Sequence, residues 1–405
     1  MAEMIELKEA TERVILVGVS TSDHDDTEKS LDELEELAQT AGAVTVGRVI
    51  QNLDQIHPGT YVGKGKLEEI KDLLWETEAT GIICDDELSP IQLGNMEDAL
   101  DTKVMDRTLI ILDIFAGRAS TNEGKIQVEL AQLKYRQSRL TGLGKSLSRL
   151  GGGIGTRGPG EKKLEMDRRL IRDRIAQLNR ELKDVKRHRE VTREQRSRNK
   201  IPVVAIVGYT NAGKSTLLNT LTGAGVLEED KLFATLDPTT RKFELPGGES
   251  ILLTDTVGFI RRLPNQLIRA FHSTLEEATH ADMLLLVCDV SDPECAEHLE
   301  VTKSLLTELG AGDIPQLVVY NKCDLTSSFR EARTLSNNER VFISAGSGLG
   351  IDDLLAAISA LLKANKREVT LLIPYASAGM LNTLRGECPI LGDPDYQDEG
   401  IMVKT

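Results

Sequence analysis

IPVVAIVGYTNAGKS, residues 201–215, is the stretch on which the reading of this chain turns. Residues 201–207 are an apolar, β-branched run of the kind that fills a strand covered on both faces. The run leads straight into Gly208, Tyr209, Thr210, Asn211, Ala212, Gly213, Lys214 and Ser215. An amphipathic segment carrying Leu217, Leu218 and Leu221 follows. GxxxxGKS between a strand and a helix is a phosphate-binding loop in its required setting. Its glycines let the backbone fold round a phosphate, with amides pointing inward at a helix start. Lys214 is placed to reach the β- and γ-phosphates, the Ser215 hydroxyl to bind Mg²⁺, and Thr216 completes the nucleotide-binding run. The loop alone does not choose between adenine and guanine.

The base is read further along. Asn321, Lys322, Cys323 and Asp324 follow a strand at residues 315–320. The Asp324 carboxylate can accept two hydrogen bonds from the N1–H and N2–H₂ edge of guanine. Adenine offers neither donor, and sites built on such a match reject the wrong ligand by about 10⁴–10⁵. Asn321 faces the other purine edge and ties this loop to the phosphate loop. Ser344, Ala345 and Gly346, after a strand at 340–343, offer amides to guanine O6. Guanosine di- and triphosphate are the expected ligands.

Two more segments lie between. Asp255, Thr256, Val257 and Gly258 close a strand at residues 251–254. Asp255 suits the water shell of Mg²⁺, and the Gly258 amide suits sensing of the γ-phosphate. Upstream, Phe233, Ala234, Thr235, Leu236 and Asp237 run on through Pro238, Thr239, Thr240 and Arg241 in a loop. A threonine there supplies the second protein ligand to Mg²⁺, with Thr235, Thr239 and Thr240 all eligible. Phe259 stands where many GTPases carry a glutamine that orients water. Slow intrinsic hydrolysis is therefore expected, with Lys214, Gly258, Mg²⁺ and the loop amides carrying catalysis and a partner stimulating it.

Outward from this core, residues 201–365 read as one α/β domain. Residues 1–120 read as an N-terminal α/β domain, with strands at 13–19, 44–50 and 81–84 and helices between. Ser89 and Pro90 form a helix start there, while residues 63–66 (GKGK) read as a turn ahead of a helix at 66–75. Residues 121–200 read as an antiparallel helical hairpin. Ile126, Leu130, Leu133 and Leu140 make one stripe, and Leu164, Ile171, Ile175, Leu178, Leu182 and Val185 the other. Between them residues 151–160 (GGGIGTRGPG) cannot continue a helix. Residues 366–405 read as a short C-terminal α/β domain. The fold class is thus α/β multidomain around a mostly parallel sheet with helices on both faces.

Charge picks out the hairpin. The 405-residue chain has net charge −15, yet residues 125–200 carry 22 Lys and Arg against nine Asp and Glu. That segment is +13 and the rest −28. One basic arm on an acidic body suits a single polyanionic contact rather than indiscriminate coating of nucleic acid. Lys145, Arg149 and Arg157, at or beside the glycine tip, are the candidate RNA contacts. Composition is 40% hydrophobic and 28% charged, which excludes collagenous, disordered and disulfide-scaffold classes. Five scattered cysteines without metal-ligand spacing point to a reduced, cytoplasmic setting. The opening residues lack the pattern of a signal peptide, and no transmembrane segment is expected, which leaves peripheral membrane association open. The six histidines are dispersed and read as structural or surface residues.

Taken together the motifs resemble the HflX-type family of translational GTPases over nearly the whole chain. The resemblance is carried by residues 30–34 (SLDEL), 59–66 (GTYVGKGK), 158–161 (GPGE), GYTNAGKST, FATLDPTTR and DTVGFI. It implies Thr235 as the second magnesium ligand. It implies a monomer whose GTP state binds the large ribosomal subunit and its RNA, splits or rescues stalled ribosomes, and inserts the hairpin tip. The C-terminal part is shorter than that family's usual one. The rival reading is a GTP-sensing module that docks on a protein partner through the hairpin as a coiled coil.

Overall fold

The computed structural model describes residues 11–22, 26–150, 159–198, 201–223, 225, 232–264, 267, 278–326, 339–364, 369–387, 390 and 392–405. Strands β1 (Arg13–Ser20), β2 (Val44–Asn52), β3 (Gly81–Cys84) and β4 (Lys103–Asp106) form a sheet in the order β2-β1-β3-β4. Every pairing in it is parallel. Parallel neighbours require crossovers, and these are α1 (Thr27–Thr40), α2 (Lys64–Thr77) and α3 (Pro90–Leu100). The inner strand β1 is apolar throughout its middle because both faces are covered: Val14, Ile15, Leu16 and Val17 have no exposed surface. At Ser89 the expected helix start is complete. Ser89 Oγ accepts from the Gln92 N–H at 3.3 Å while the Ser89 N–H donates to Gln92 Oε1 at 2.9 Å, with Pro90 at the first helical position. The GKGK turn does not survive. Gly63 caps α2, its N–H held by Gln51 Oε1 at 2.8 Å, so the helix begins two residues earlier, at Lys64.

Helix α4 (Arg107–Arg118) leads to the long pair α5 (Asn122–Leu150) and α6 (Pro159–Arg198). Leu178 packs on Ile126 and Leu130, and Arg168 reaches the Leu140 carbonyl, so the two run antiparallel. Pro159 is the first residue of α6, where its missing N–H costs no hydrogen bond. The tip therefore yields its last two residues to the helix. Residues 151–158, Arg157 among them, lie outside the described residues, as do the side chains of Lys145 and Arg149.

The second sheet holds β5 (Val203–Gly208), β6 (Thr239–Glu244), β7 (Ser250–Asp255), β8 (Met283–Asp289), β9 (Gln316–Asn321) and β10 (Arg340–Phe342). Its order is β10-β9-β8-β5-β7-β6, parallel except at the β6–β7 edge. Helices α7 (Lys214–Thr222), α8 (Cys295–Glu308) and α9 (Ile351–Ala364) cover it. Chain progression reverses at β5, which lies between β8 and β7. Beyond the carboxyl end of such a strand an open α/β sheet leaves a crevice.

A small third sheet follows: β11 (Thr370–Ile373), β12 (Asp395–Gln397) and β13 (Gly400–Lys404), with β13 central and helix α10 (Met380–Glu387) against it. The first two sheets are not independent. Leu31, Leu34 and Phe115 share one core with Phe233, Leu236, Val257 and Ile260, and the rings of Phe115 and Phe233 meet edge to face at 4.8 Å. Among the described residues no helix is long and apolar enough to cross a membrane.

Candidate nucleotide site

The phosphate loop sits where the sheet order leaves its crevice. Lys214 is buried, and its Nζ donates to the Tyr209 carbonyl across the loop at 2.7 Å. Burial pushes its ammonium down to about 8, with Asp255 pulling the other way. Ser215 Oγ lies 2.7 Å from Thr235 Oγ1 and donates to Asp255 Oδ2, also at 2.7 Å. Asp255 is wholly buried and its Oδ1 has no hydrogen-bond partner among the described residues. Burial raises that carboxyl, against the pull of Lys214 and its hydrogen bonds. Two hydroxyls and a carboxylate with a spare buried oxygen form a hard-oxygen donor set that fits Mg²⁺. Among the three eligible threonines, Thr235 is the one at this spot. Thr239 and Thr240 belong to β6, and Thr240 Oγ1 meets Thr254 Oγ1 at 3.0 Å.

Gly258 crosses directly over the loop. A Cβ there would stand 2.7 Å from Thr210 Cγ2, 2.9 Å from Thr210 Cα and 3.1 Å from Lys214 Nζ, so only glycine admits the approach. Neighbouring Thr256 donates from Oγ1 to the Ile206 carbonyl at 2.8 Å, and Val257 is buried in the shared core. Phe259 zips this turn to the loop. Its N–H donates to the Gly208 carbonyl and its carbonyl accepts the Thr210 N–H, while its ring is buried beneath β5 and β8. No water-orienting side chain stands there.

On the base side, buried Asn321 joins three segments. Its Nδ2 donates to the Ala212 carbonyl of the phosphate loop at 2.9 Å, and its Oδ1 accepts the Ala345 N–H at 2.9 Å. Lys322 takes a left-handed backbone (φ 60°) and pairs with Asp289 at 2.8 Å. Cys323 and Ser344 are buried, whereas Asp324 and Gly346 are exposed at the crevice rim. Asn211, also left-handed, Ala212, Gly213 and Thr216 complete the loop and the first turn of α7.

Some expected nucleotide residues turn elsewhere. Phe233 and Leu236 are buried against the first sheet's helices, and Ala234 lies between Phe233 and Thr235. Asp237 points away from the phosphate loop, to Ser120 and Thr121. The Tyr209 ring is likewise directed outward, stacked on His298 at 3.8 Å. These side chains pack into the neighbouring layers, drawn there by apolar burial, by a ring stack or by hydroxyl and amide donors.

That layer also supplies residues the sequence reading missed. Arg107, 2% exposed, pairs with Glu33 and, at 2.8 Å, with Asp85, and its Nη2 donates to the Arg261 carbonyl. Glu33 also accepts from the Tyr209 hydroxyl, which in turn accepts the Arg261 N–H at 2.8 Å. Arg262 reaches Asp85 at 3.0 Å and Asp26 at 2.6 Å, and Arg261 reaches Glu294 and Glu297. The paired arginines directly after DTVGFI, beside the carboxylates of SLDEL, were the available signal.

A phosphate loop at this switch point of this sheet order places the protein among the P-loop nucleotide-binding proteins, and the comparisons with known proteins narrow that class to the GTPases. Residues 28–116, 118–196 and 203–322 match the families described as "GTP-binding GTPase N-terminal", "GTP-binding GTPase Middle Region" and "50S ribosome-binding GTPase". GTPase HflX of Lacrimispora saccharolytica is 61% identical over all of this chain and 96% of its own length. GTPase HflX of Escherichia coli K12 is 43% identical over 92% of this chain and 88% of its own length. The crystal structure of the SsGBP–GDP complex aligns with a TM-score of 0.49 at 28% identity, over 87% of this chain and 99% of that one. The chain belongs to the GTPase HflX family.

Proposed function

We propose that residues 208–216 hold the phosphates of GTP, that Asp324 with Asn321 and the 344–346 amides reads guanine, and that the GTP state docks the basic hairpin on the large ribosomal subunit and parts stalled ribosomes. The observation that carries the nucleotide half is the convergence of Ser215 Oγ, Thr235 Oγ1 and the orphaned Asp255 Oδ1 beside buried Lys214. Ser215 and Thr235 would ligate Mg²⁺ directly and Asp255 would hold its water shell; the ion supplies charge neutralisation between the β- and γ-phosphates. Lys214, now bonded only to a carbonyl, would turn to the phosphates and stabilise charge that develops on the γ-phosphoryl group. Gly258 would offer its N–H to that group. With Phe259 in place of a water-orienting glutamine, turnover stays slow until a partner completes the site.

The ribosomal half is supported by the family, by its "50S ribosome-binding GTPase" member region, and by the charge of the arm. A basic arm on an acidic, cytoplasmic protein meets RNA phosphates, and such contacts weaken steeply with salt. Co-sedimentation of the full chain with ribosomal subunits tests it. Binding to the large subunit with a non-hydrolysable GTP analogue, lost with GDP and lost as salt rises, is the expected result. Salt-insensitive capture of a protein partner with no subunit binding would favour the coiled-coil docking reading.

A further inference from the structure

Asp237 lies two residues after Thr235, yet its carboxylate closes on the start of α5. The N–H groups of Ser120 and Thr121 each donate to Oδ2 at 2.8 Å. The Ser120 hydroxyl donates to Oδ2 at 2.7 Å, and the Thr121 hydroxyl to Oδ1 at 2.6 Å. A helix start leaves N–H groups without intrahelical partners and carries partial positive charge. Thr121 is the local cap, its Oγ1 accepting the Gly124 N–H at 2.9 Å, and the Asp237 carboxylate, 116 residues along the chain, holds that cap residue by its N–H and its hydroxyl. Gly124 makes room for it. A Cβ at Gly124 would stand 2.3 Å from Asp237 Oδ1 and 3.1 Å from Thr121 Oγ1, and four donors already fix that carboxylate. At its other end the same short segment holds Thr235 Oγ1 2.7 Å from Ser215 Oγ. Two residues of chain span at most about 7 Å, so little slack separates the two anchors.

We infer that Asp237 is a positioning residue: by gripping Ser120 and the cap residue Thr121 at the root of the first hairpin helix it holds Thr235 at the metal seat, so that the nucleotide-sensing segment and the basic arm move as one. This rests on reading Ser215, Thr235 and Asp255 as that seat. Such coupling is reciprocal. A surface that fixes the arm favours Thr235 at the seat, and a nucleotide that draws Thr235 in steadies the root of the arm.

The experiment uses the full chain and the variants Asp237→Asn, Gly124→Ala and Lys214→Ala, with the Asp237→Asn/Gly124→Ala double variant. GTP turnover is followed against Mg²⁺ concentration, GDP affinity by calorimetry, and hydrogen exchange over residues 118–126 with GTP analogue and with GDP. Asp237→Asn should lower kcat by about ten- to hundredfold, the scale of a misplaced catalytic group. It should also raise the Mg²⁺ needed for half-maximal turnover, leave GDP affinity unchanged, and erase the nucleotide-dependent difference in exchange. Gly124→Ala is the discriminating variant. Alanine is the better helix former, so a merely structural role predicts a steadier helix with normal turnover. The linkage predicts the kcat and Mg²⁺ defects of Asp237→Asn, with no further loss in the double variant. Normal turnover and Mg²⁺ dependence in both single variants, or losses that simply add, overturn the linkage while Lys214→Ala stays inactive. A Lys214→Ala protein that still binds GTP tightly overturns the seat itself.

Discussion

Residues 233–237 and residues 255–262 run out from the cluster of Ser215, Thr235 and Asp255, share one apolar core through Phe233, Leu236, Val257 and Ile260, and differ in their polar fastenings. The first segment ends in a half-exposed cap, Asp237 on Ser120 and Thr121. The second ends in a buried ionic cluster in which Arg107, Glu33 and Asp85 grip Arg261 and Arg262. A water-exposed cap is made and broken at small cost, whereas a buried charge stripped of its partner is severely penalised. The comparison teaches a division of labour. The 255–262 segment adds buried charge to the shared core, whereas the polar fastening of the 233–237 segment faces solvent.

Removing the buried anchor should have the largest effect. Arg107→Ala leaves Glu33 and Asp85 short of their common partner, and denaturant unfolding of the full chain should show a loss of about 3–5 kcal/mol. A loss no greater than that of an Asp237 variant would break the comparison. Tyr209→Phe is a milder cut at the same cluster. It removes the hydroxyl that Glu33 and the Arg261 N–H share, at a cost of about 1–3 kcal/mol by the same measurement, and it leaves the stack on His298 in place. Asp237→Ala should cost stability least, about 0.5–2 kcal/mol, the range for losing half-exposed hydrogen bonds that support a helix cap.

Acid sharpens the contrast. Burial alone would raise the Asp237 carboxyl, but hydrogen bonds from Thr121 and Ser120 more than offset it and hold it below its ordinary range. A carboxyl depressed in the folded state contributes stability that is complete above its unfolded pKa and lost as pH falls through the folded one. The stability gap between the unaltered chain and Asp237→Asn should therefore be present at neutral pH and close as pH falls below the ordinary carboxylate range. A gap that stays constant would mean the cap does not depend on the ionised carboxylate.

The nucleotide half was legible because phosphate and base chemistry force particular residue types into a short span. Residues 208–215 had to be a loop between strand and helix, and the bond from Asn321 to the Ala212 carbonyl is the tie expected between base loop and phosphate loop. The parallel sheets followed from alternating apolar strands and amphipathic helices. What stayed hidden was tertiary. Arg107 opens α4 in a run that reads locally as any solvated helix start, and only the meeting of two sheets makes it buried. Asp237 stands two residues from Thr235 in the sequence, and nothing local shows that its carboxylate meets Ser120 and Thr121. Residues 63–66 read as a turn because two glycines outweigh the lysines, while Gln51, by holding the N–H of the cap residue Gly63, lets the helix start at Lys64.

All of this depends on a guanine nucleotide lodging between β5 and α7, and isothermal titration of the intact chain with GDP and with a GTP analogue, in the presence and absence of magnesium, asks that most directly. Saturable heat with both ligands, tighter for the analogue when magnesium is present and abolished in Lys214→Ala, is the predicted result. Absence of heat with either nucleotide, from a chain shown to be folded by its cooperative unfolding, would contradict it.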